Sequence, residues 1–334
     1  MADAEAKDNE SGEESPELSV VAANCQKAAA MPNVIPGEKL SSIEEIVQND
    51  PECYELDLNH HRIEKLEHLE PLKNIERLGF RWNLIKKIEN LDTLTTLVEL
   101  EFYDNQLTKI ENLDALVNLQ ILDLSFNRIT KIENLEKLTK LEKLFLVANK
   151  ITQIENIEML TNLTMLELGD NKIRRIENLD TLVNLRQLFL GKNKISKIEN
   201  LDKLTNLEIL SLQANRIVKI ENLEKLTNLS ELYLSENGIE KIENLEANTQ
   251  LDTLDLAKNR LKTIDNISCL EQLEELWLND NSIDDWKNVE ILKGSKSLKT
   301  VYLEHNPLAK DVMYRPKLKD IAPWLQKIDA TLCR

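Results

Sequence analysis

One residue type recurs in this chain at a fixed interval. Asn stands at 83, 105, 127, 149, 171, 193, 215, 237, 259 and 281, each 22 residues after the last. His61 holds the same phase one step earlier, and Asn306 follows after a step of 25. An apolar-x-apolar pair precedes each anchor, as in Leu122-Asp-Leu124, Leu166-Glu-Leu168 and Leu210-Ser-Leu212. After it comes Ile-x-x-Ile-Glu-Asn-Leu, with Ile-Glu-Asn starting at 88, 110, 132, 154, 176, 198, 220 and 242. A unit this short cannot bury its own leucines, so each must stack on the next and build one continuous core. Length alone would suggest about two domains. The unbroken repeat predicts a single array instead.

The pattern is Leu-x-x-Leu-x-Leu-x-x-Asn-x-Leu, the leucine-rich repeat. The fold expected is an α/β solenoid, a leucine-rich-repeat horseshoe. One short parallel strand per repeat lines the concave face, turns and 3₁₀ segments form the convex face, and helices cap the ends. The domain plan reads as a disordered acidic tail over 1–37, an N-terminal cap over 38–53, twelve repeats over 54–308 and a C-terminal cap over 309–334. The anchor Asn sits where the chain leaves the strand. Buried there, its amide can pair with backbone groups of adjacent turns that would otherwise go unsatisfied. Gly is scarce, at 7 residues, because Asn performs the turns. Ser41-Ser42-Ile43-Glu44-Glu45-Ile46-Val47 offers a Ser-x-x-Glu capping box and predicts a helix over 40–49, stopped before Pro51. At the other end Trp286, Tyr314, Trp324, Leu325 and Ile328 are expected to seal the last turn.

Composition excludes several functions. The chain carries 42 Lys and Arg against 59 Asp and Glu, a net charge of −17, so it lacks the basic surface of a general nucleic-acid binder. Its glycines form no phosphate-cradling loop, and no apolar run approaches a membrane span. The N-terminus lacks the basic and apolar regions of a signal peptide. Four dispersed cysteines read as reduced thiols, with no cofactor or metal implied. His60, His61 and His68 are close in sequence, but His61 fills an anchor position and the other two fall on different faces. No nucleophile elbow or His-Glu-x-x-His occurs, so no enzyme is expected.

Candidate function lies on the concave face. Side chains alternate across a strand, so five x positions per repeat project there. Twelve repeats give about 60 such positions, and about two or three of the 14 aromatics should land there by chance. Nine do: Tyr54, Trp82, Tyr103, Phe126, Phe145, Phe189, Tyr233, Trp277 and Tyr302. Four of them, Phe145, Phe189, Tyr233 and Trp277, stand 44 residues apart, which is roughly 10 Å across two strands. Acids stand before and between them at Asp123, Glu167 and Asp255, with Glu275 beside Trp277. Rigid apolar anchors interleaved with carboxylates suit a folded partner that presents Arg, Lys and apolar residues.

These concave residues resemble the leucine-rich-repeat regulatory subunits of protein phosphatase 1 over about residues 53–334. The most specific pieces are Tyr103-Asp-Asn105, Leu124-Ser-Phe-Asn127, Lys143-Leu-Phe-Leu-Val147, Leu188-Phe-Leu-Gly-Lys-Asn-Lys194, Glu231-Leu-Tyr-Leu-Ser235, Thr300-Val-Tyr-Leu-Glu304 and Ile328-Asp-Ala-Thr331. The resemblance implies a non-enzymatic subunit that grips the phosphatase catalytic subunit. The matching positions are Asp123, Phe145, Glu167, Phe189, Glu275, Trp277 and Tyr302; the ladder itself adds Tyr233 and Asp255. It also implies control of activity, assembly and location, a ternary complex with phosphatase inhibitor three, a monomer when alone, nuclear and cytoplasmic residence, and a role in cell division. The second repeat, Leu78-Gly-Phe-Arg-Trp-Asn83, departs from the pattern with a bulkier face. Two other readings stay open: an adaptor of a ciliary or spliceosomal assembly, and a GTPase activator that would present Arg81.

Overall fold

The computed structural model describes residues 42–333. The expected tail over 1–37, the start of the cap at 38–41 and Arg334 lie outside the described residues. Helix α1, Ile43–Asn49, opens on Ser42. The Ser42 hydroxyl accepts from Glu45 N at 3.2 Å, and the Glu45 carboxylate accepts from Ser42 N at 3.0 Å. This reciprocal box satisfies two of the helix's orphan donors. Val47 packs from it onto the first repeat's core.

A single sheet of fourteen strands then runs in sequence order. The first twelve are parallel three-residue strands, from Glu55–Asp57 (β1) to Thr300–Tyr302 (β12). Register advances by one repeat at each step, so Leu78, Leu100 and Leu122 are direct neighbours. The central residue of each strand points into the core and its two neighbours point to the outer face. Behind the sheet, the chain returns through consecutive tight turns. Leu94 N bonds Leu91 O at 2.9 Å and Leu97 N bonds Leu94 O at 3.1 Å, and the same pair recurs down the array. A leucine every third residue therefore points inward. Among the described residues, 3₁₀ segments occur only at Glu290–Gly294 and Pro307–Lys310; the regular repeats return through turns alone.

Asparagine holds these turns together in three columns. At the anchor, Asn105 Nδ2 donates to Phe80 O of the preceding repeat at 2.8 Å and to its own Phe102 O at 3.2 Å. Its Oδ1 accepts from Ile85 N at 3.0 Å. The same three bonds recur at Asn127, Asn149 and each later anchor through Asn306. Both ends of the amide are needed, so neither Asp nor Leu can replace it there. The anchor itself does not take the left-handed backbone. That conformation falls on the residue before it, such as Asp104 at φ 53° and Lys192 at φ 54°, and on the Asn of Ile-Glu-Asn, such as Asn112 at φ 57°. Asn112 Nδ2 reaches back to Ile88 O at 2.6 Å. The expectation that the anchor turns the chain is thus corrected: the anchor only cross-links, the residue before it turns, and the Asn of Ile-Glu-Asn does both. A third, exposed column links Asn118 to Thr95 O, Asn184 to Thr161 O and Asn206 to Val183 O. It follows the same 22-residue spacing and escaped the sequence reading.

The last step lengthens because helix α2, Trp286–Val289, and the 3₁₀ segment that follows replace the tight turns. Helical residues advance the chain less than extended ones, so more are needed to span the same path. Helix α3, Tyr314–Ile321, and the strands Lys327–Ile328 and Thr331–Leu332 close the end. Leu325 and Ile328 are fully packed and Tyr314 nearly so, while Trp286 and Trp324 are half-buried. Asp329 takes an anchor-like place, accepting from Leu303 N at 2.9 Å, Glu304 N at 3.0 Å and the Tyr314 hydroxyl at 3.1 Å. Burial, then the Asp329 charge, push the Tyr314 hydroxyl pKa well up.

Asn248 stands where neighbouring repeats place a core leucine such as Leu226. It is fully buried and donates to Leu223 O and Leu226 O at 2.9 Å, but its Oδ1 has no partner. Both carbonyls already accept from backbone N–H groups. Asn248→Leu is therefore expected to raise stability by about 1 kcal/mol, since it removes an unsatisfied polar atom. Asn149→Ala, which strands Ile129 N, should lower it by roughly 3 kcal/mol. Denaturant midpoints of the full chain compare the two.

Candidate protein-docking face

The outer face of the sheet carries the ladder of mid-strand residues. Strand register places Phe145 beside Asp123 on one side and Glu167 on the other, and Glu167 directly between Phe145 and Phe189. Asp255 lies in the same way between Tyr233 and Trp277, and Trp277 is followed by Tyr302. The array is therefore ring, acid, ring, and later ring, acid, ring, ring. Phe189 and Asp255 are separated by Ser211 and Tyr233 on the intervening strands. Glu275 heads its strand and is half-buried.

The three interleaved acids do not stand up from the sheet. Each folds back onto the backbone two residues ahead: Asp123 Oδ1 accepts from Ser125 N at 2.9 Å, Glu167 Oε1 from Gly169 N at 3.1 Å, and Asp255 Oδ1 from Ala257 N at 2.9 Å. All three are buried, with Asp123 6% exposed, Glu167 4% and Asp255 0%. Phe189 is itself buried at 8%, and Phe145, Tyr233, Trp277 and Tyr302 are half-buried. The face is thus flatter and drier than free-standing carboxylates would make it. Two polar atoms on it have no partner: Glu167 Oε2 and the Trp277 indole Nε1. The Tyr233 hydroxyl donates to Glu231 Oε2 at 2.7 Å.

Burial sets the electrostatics. Glu167 is pushed up to about 8, chiefly by desolvation and further by the Asp123 charge, while the Gly169 N–H opposes the shift. Asp123 is raised for the same main reason, with Ser125 holding it down. Glu167 therefore keeps its proton to a higher pH than an ordinary glutamate.

A second aromatic group lies toward the N-terminal end. His60 stacks on Trp82 at 4.4 Å, Trp82 meets Tyr103 edge-on at 5.4 Å, and Tyr103 meets Phe126 at 4.7 Å. Arg81, the residue an activator would present, is held in a bidentate pair with Glu101. His61 Nδ1 lies 2.7 Å from Asn59 O, and His68, at φ 63°, occupies the turning phase of the later Ile-Glu-Asn asparagines. The three histidines serve the irregular first repeat. Among the described residues no helix is long and apolar enough to cross a membrane.

Comparison with known proteins bears on what this face is for. The family model for leucine-rich repeats in two copies matches residues 95–135, 117–159, 161–203, 205–247 and 249–289, more than half of the chain. Human protein phosphatase 1 regulatory subunit 7 is 51% identical over 49 residues. That stretch covers 15% of this chain and only 14% of the human protein. Among solved structures, an internalin of Listeria monocytogenes superposes with a TM-score of 0.65 at 24% identity, covering 94% of both chains. A leucine-rich-repeat protein of Leptospira interrogans gives a TM-score of 0.66 at 25% identity, covering 78% of this chain and 74% of that one.

The Glu167 carboxyl makes a pH prediction. Its folded pKa lies above the unfolded value near 4.5, so the folded chain holds a proton that the unfolded chain releases. The stability it contributes falls as pH rises from about 4.5 through about 8. Glu167→Gln keeps the shape and removes the titration. The variant should match the parent near pH 4.5 and exceed it by roughly a few kcal/mol at pH 9. Unfolding midpoints measured across that range check it.

Proposed function

Because the chain belongs to the leucine-rich-repeat family, we propose that it is a regulatory subunit that binds the protein phosphatase 1 catalytic subunit on the outer face of its sheet. The fold and family make it a non-enzymatic protein-interaction scaffold. The name of the human relative supplies the phosphatase, over a short region of shared sequence. The observation that carries the choice of face is the ring–acid–ring array, with a carboxyl oxygen at Glu167 and an indole N–H at Trp277 that have no partner.

Half-buried rings are desolvated already on one side and lose little conformational entropy on binding, so they suit hot spots. A partner Lys or Arg over Glu167 gains a charge-assisted bond in a water-poor setting. A partner acceptor is needed at Trp277 Nε1. Binding here would govern the phosphatase's activity, assembly and location, in nucleus and cytoplasm and during cell division. A ternary complex with phosphatase inhibitor three fits the same role, with this chain monomeric when alone. The alternative adaptor readings use the same face with a different partner.

Trp277→Ala and Phe189→Ala should each weaken the complex by about 2 kcal/mol or more, roughly thirtyfold in Kd. Glu167→Lys should weaken it too, by placing a cation where one is expected from the partner. Calorimetric titration with the purified catalytic subunit measures all three. Unchanged affinity in the set would remove the face assignment, and absence of the phosphatase from proteins co-purified with the chain in cells would remove the partner.

A further inference from the structure

The aromatic group at the N-terminal end lies outside the mid-strand ladder. Its rings occupy the positions just beyond the strands: Tyr103 one residue, and His60, Trp82 and Phe126 two residues, past the second strand apolar residue. Phe126 is three residues beyond Asp123, roughly 10 Å further along the strand direction. The group is continuous, with each ring touching the next from His60 to Phe126. The mid-strand rings, by contrast, are interrupted by Glu167, Ser211 and Asp255, with only Trp277 and Tyr302 in contact. The two groups are therefore separate surfaces.

The backbone at Trp82, Asp104 and Phe126 is left-handed, with φ of 55°, 53° and 55°. Every repeat requires this conformation here, and elsewhere the position holds small, acidic or basic residues such as Ala148, Asp170, Lys192 and Ala214. Bulky rings are poorly suited to it, so nothing in the repeat itself calls for Trp or Phe. Bonds from Trp82 N to Tyr103 O at 2.9 Å, Asp104 N to Ser125 O at 3.0 Å and Phe126 N to Val147 O at 2.7 Å hold the successive loops rigidly at strand spacing. Phe126 is 44% exposed.

Charge says what would cover these rings. Asp104 stands in the same left-handed phase midway between Trp82 and Phe126, is exposed, and has no ion pair among the described residues. The arginines nearby are already engaged, Arg77 with Glu55 and Glu99, and Arg81 with Glu101 while its guanidinium lies 5.9 Å from the Tyr103 ring centroid, which leaves Trp82 and Phe126 as the rings that flank Asp104. The patch therefore presents a carboxylate between two rings, with its local cations spoken for. A guanidinium matches that arrangement, stacking on rings while forking onto a carboxylate. The chain's own first 41 residues are a poor match, because they are predominantly acidic and contain no Arg.

We propose that Trp82, Tyr103, Asp104 and Phe126 form a second docking site that receives an arginine from a short extended segment of a protein partner. Two strand spacings of about 4.8 Å correspond to about three extended residues, so the segment crosses the strands in a single short stretch. The bulky second repeat, Arg81-Trp82, thereby acquires a role that the phosphatase reading leaves unassigned. The site stands independently of that reading.

The test uses the full chain and capped pentapeptides Ala-Ala-Arg-Ala-Ala, with Lys, Glu or Ala at the centre. The indole N–H resonance of Trp82 is followed by NMR. The Arg peptide should shift it saturably, the Lys peptide several-fold more weakly, and the Glu and Ala peptides should leave it unmoved. Asp104→Ala and Phe126→Ala should each weaken the Arg peptide roughly fivefold. Ala already occupies this phase at 148 and 214, so both variants keep the fold. Trp277→Ala, which disrupts the proposed phosphatase contact, should leave the peptide response intact. No shift with the Arg peptide, or an equal shift with the Glu peptide, overturns the site. So does a shift of the same resonance when residues 1–41 are deleted, which would assign the patch to the chain's own segment.

Discussion

The whole array depends on one side chain with a donor and an acceptor 2.2 Å or so apart: the buried anchor Asn. Its Nδ2 takes up carbonyls of two successive loops and its Oδ1 takes up an N–H of the earlier one. Leaving a strand after three residues strands backbone groups inside the solenoid, and the cost of each is about 1–3 kcal/mol if unmet. The amide meets them repeat after repeat. That fixes the loop, the loop fixes the strand spacing, and the spacing fixes where the outer-face residues stand. A chain organised this way can vary its outer face freely, because the core and the anchors already specify the fold.

That freedom has been used in two different ways. In the middle and C-terminal repeats, rings alternate with acids, and the acids are bent down onto the backbone and covered. In the first repeats, rings follow one another without interruption and leave a carboxylate exposed between them. The first arrangement holds its carboxyls desolvated against the backbone. The second presents its charge from the outset. Burial against exposure, rather than residue type, separates the two surfaces.

The fold was legible because the repeat is a sequence object: leucine spacing, anchor Asn and capping box each map onto one position. The ladder positions Asp123, Phe145, Glu167, Phe189, Tyr233, Asp255, Trp277 and Tyr302 were placed by the same register. What the register did not reveal is how far a side chain rises from the sheet. Asp123 and Asp255 fold back because an amide two residues ahead is within reach, and Glu167 because Gly169 leaves room beside it. Nor did spacing separate the anchor from the turning residue, since both recur every 22 residues and only backbone angles tell Asn105 from Asp104. Asn248 shows the opposite limit, a polar residue in a leucine slot that a pattern search passes over.

We propose the ring–acid ladder as the surface that a phosphatase catalytic subunit covers. Hydroxyl-radical footprinting of the full chain, with and without that subunit, reads solvent access ring by ring. Strong protection of Phe145, Tyr233, Trp277 and Tyr302 is expected in the complex, with the exposed back-face residues Val117, Met159 and Val183 unchanged. Equal oxidation of the four rings with and without bound catalytic subunit, or protection confined to the back face, would contradict it.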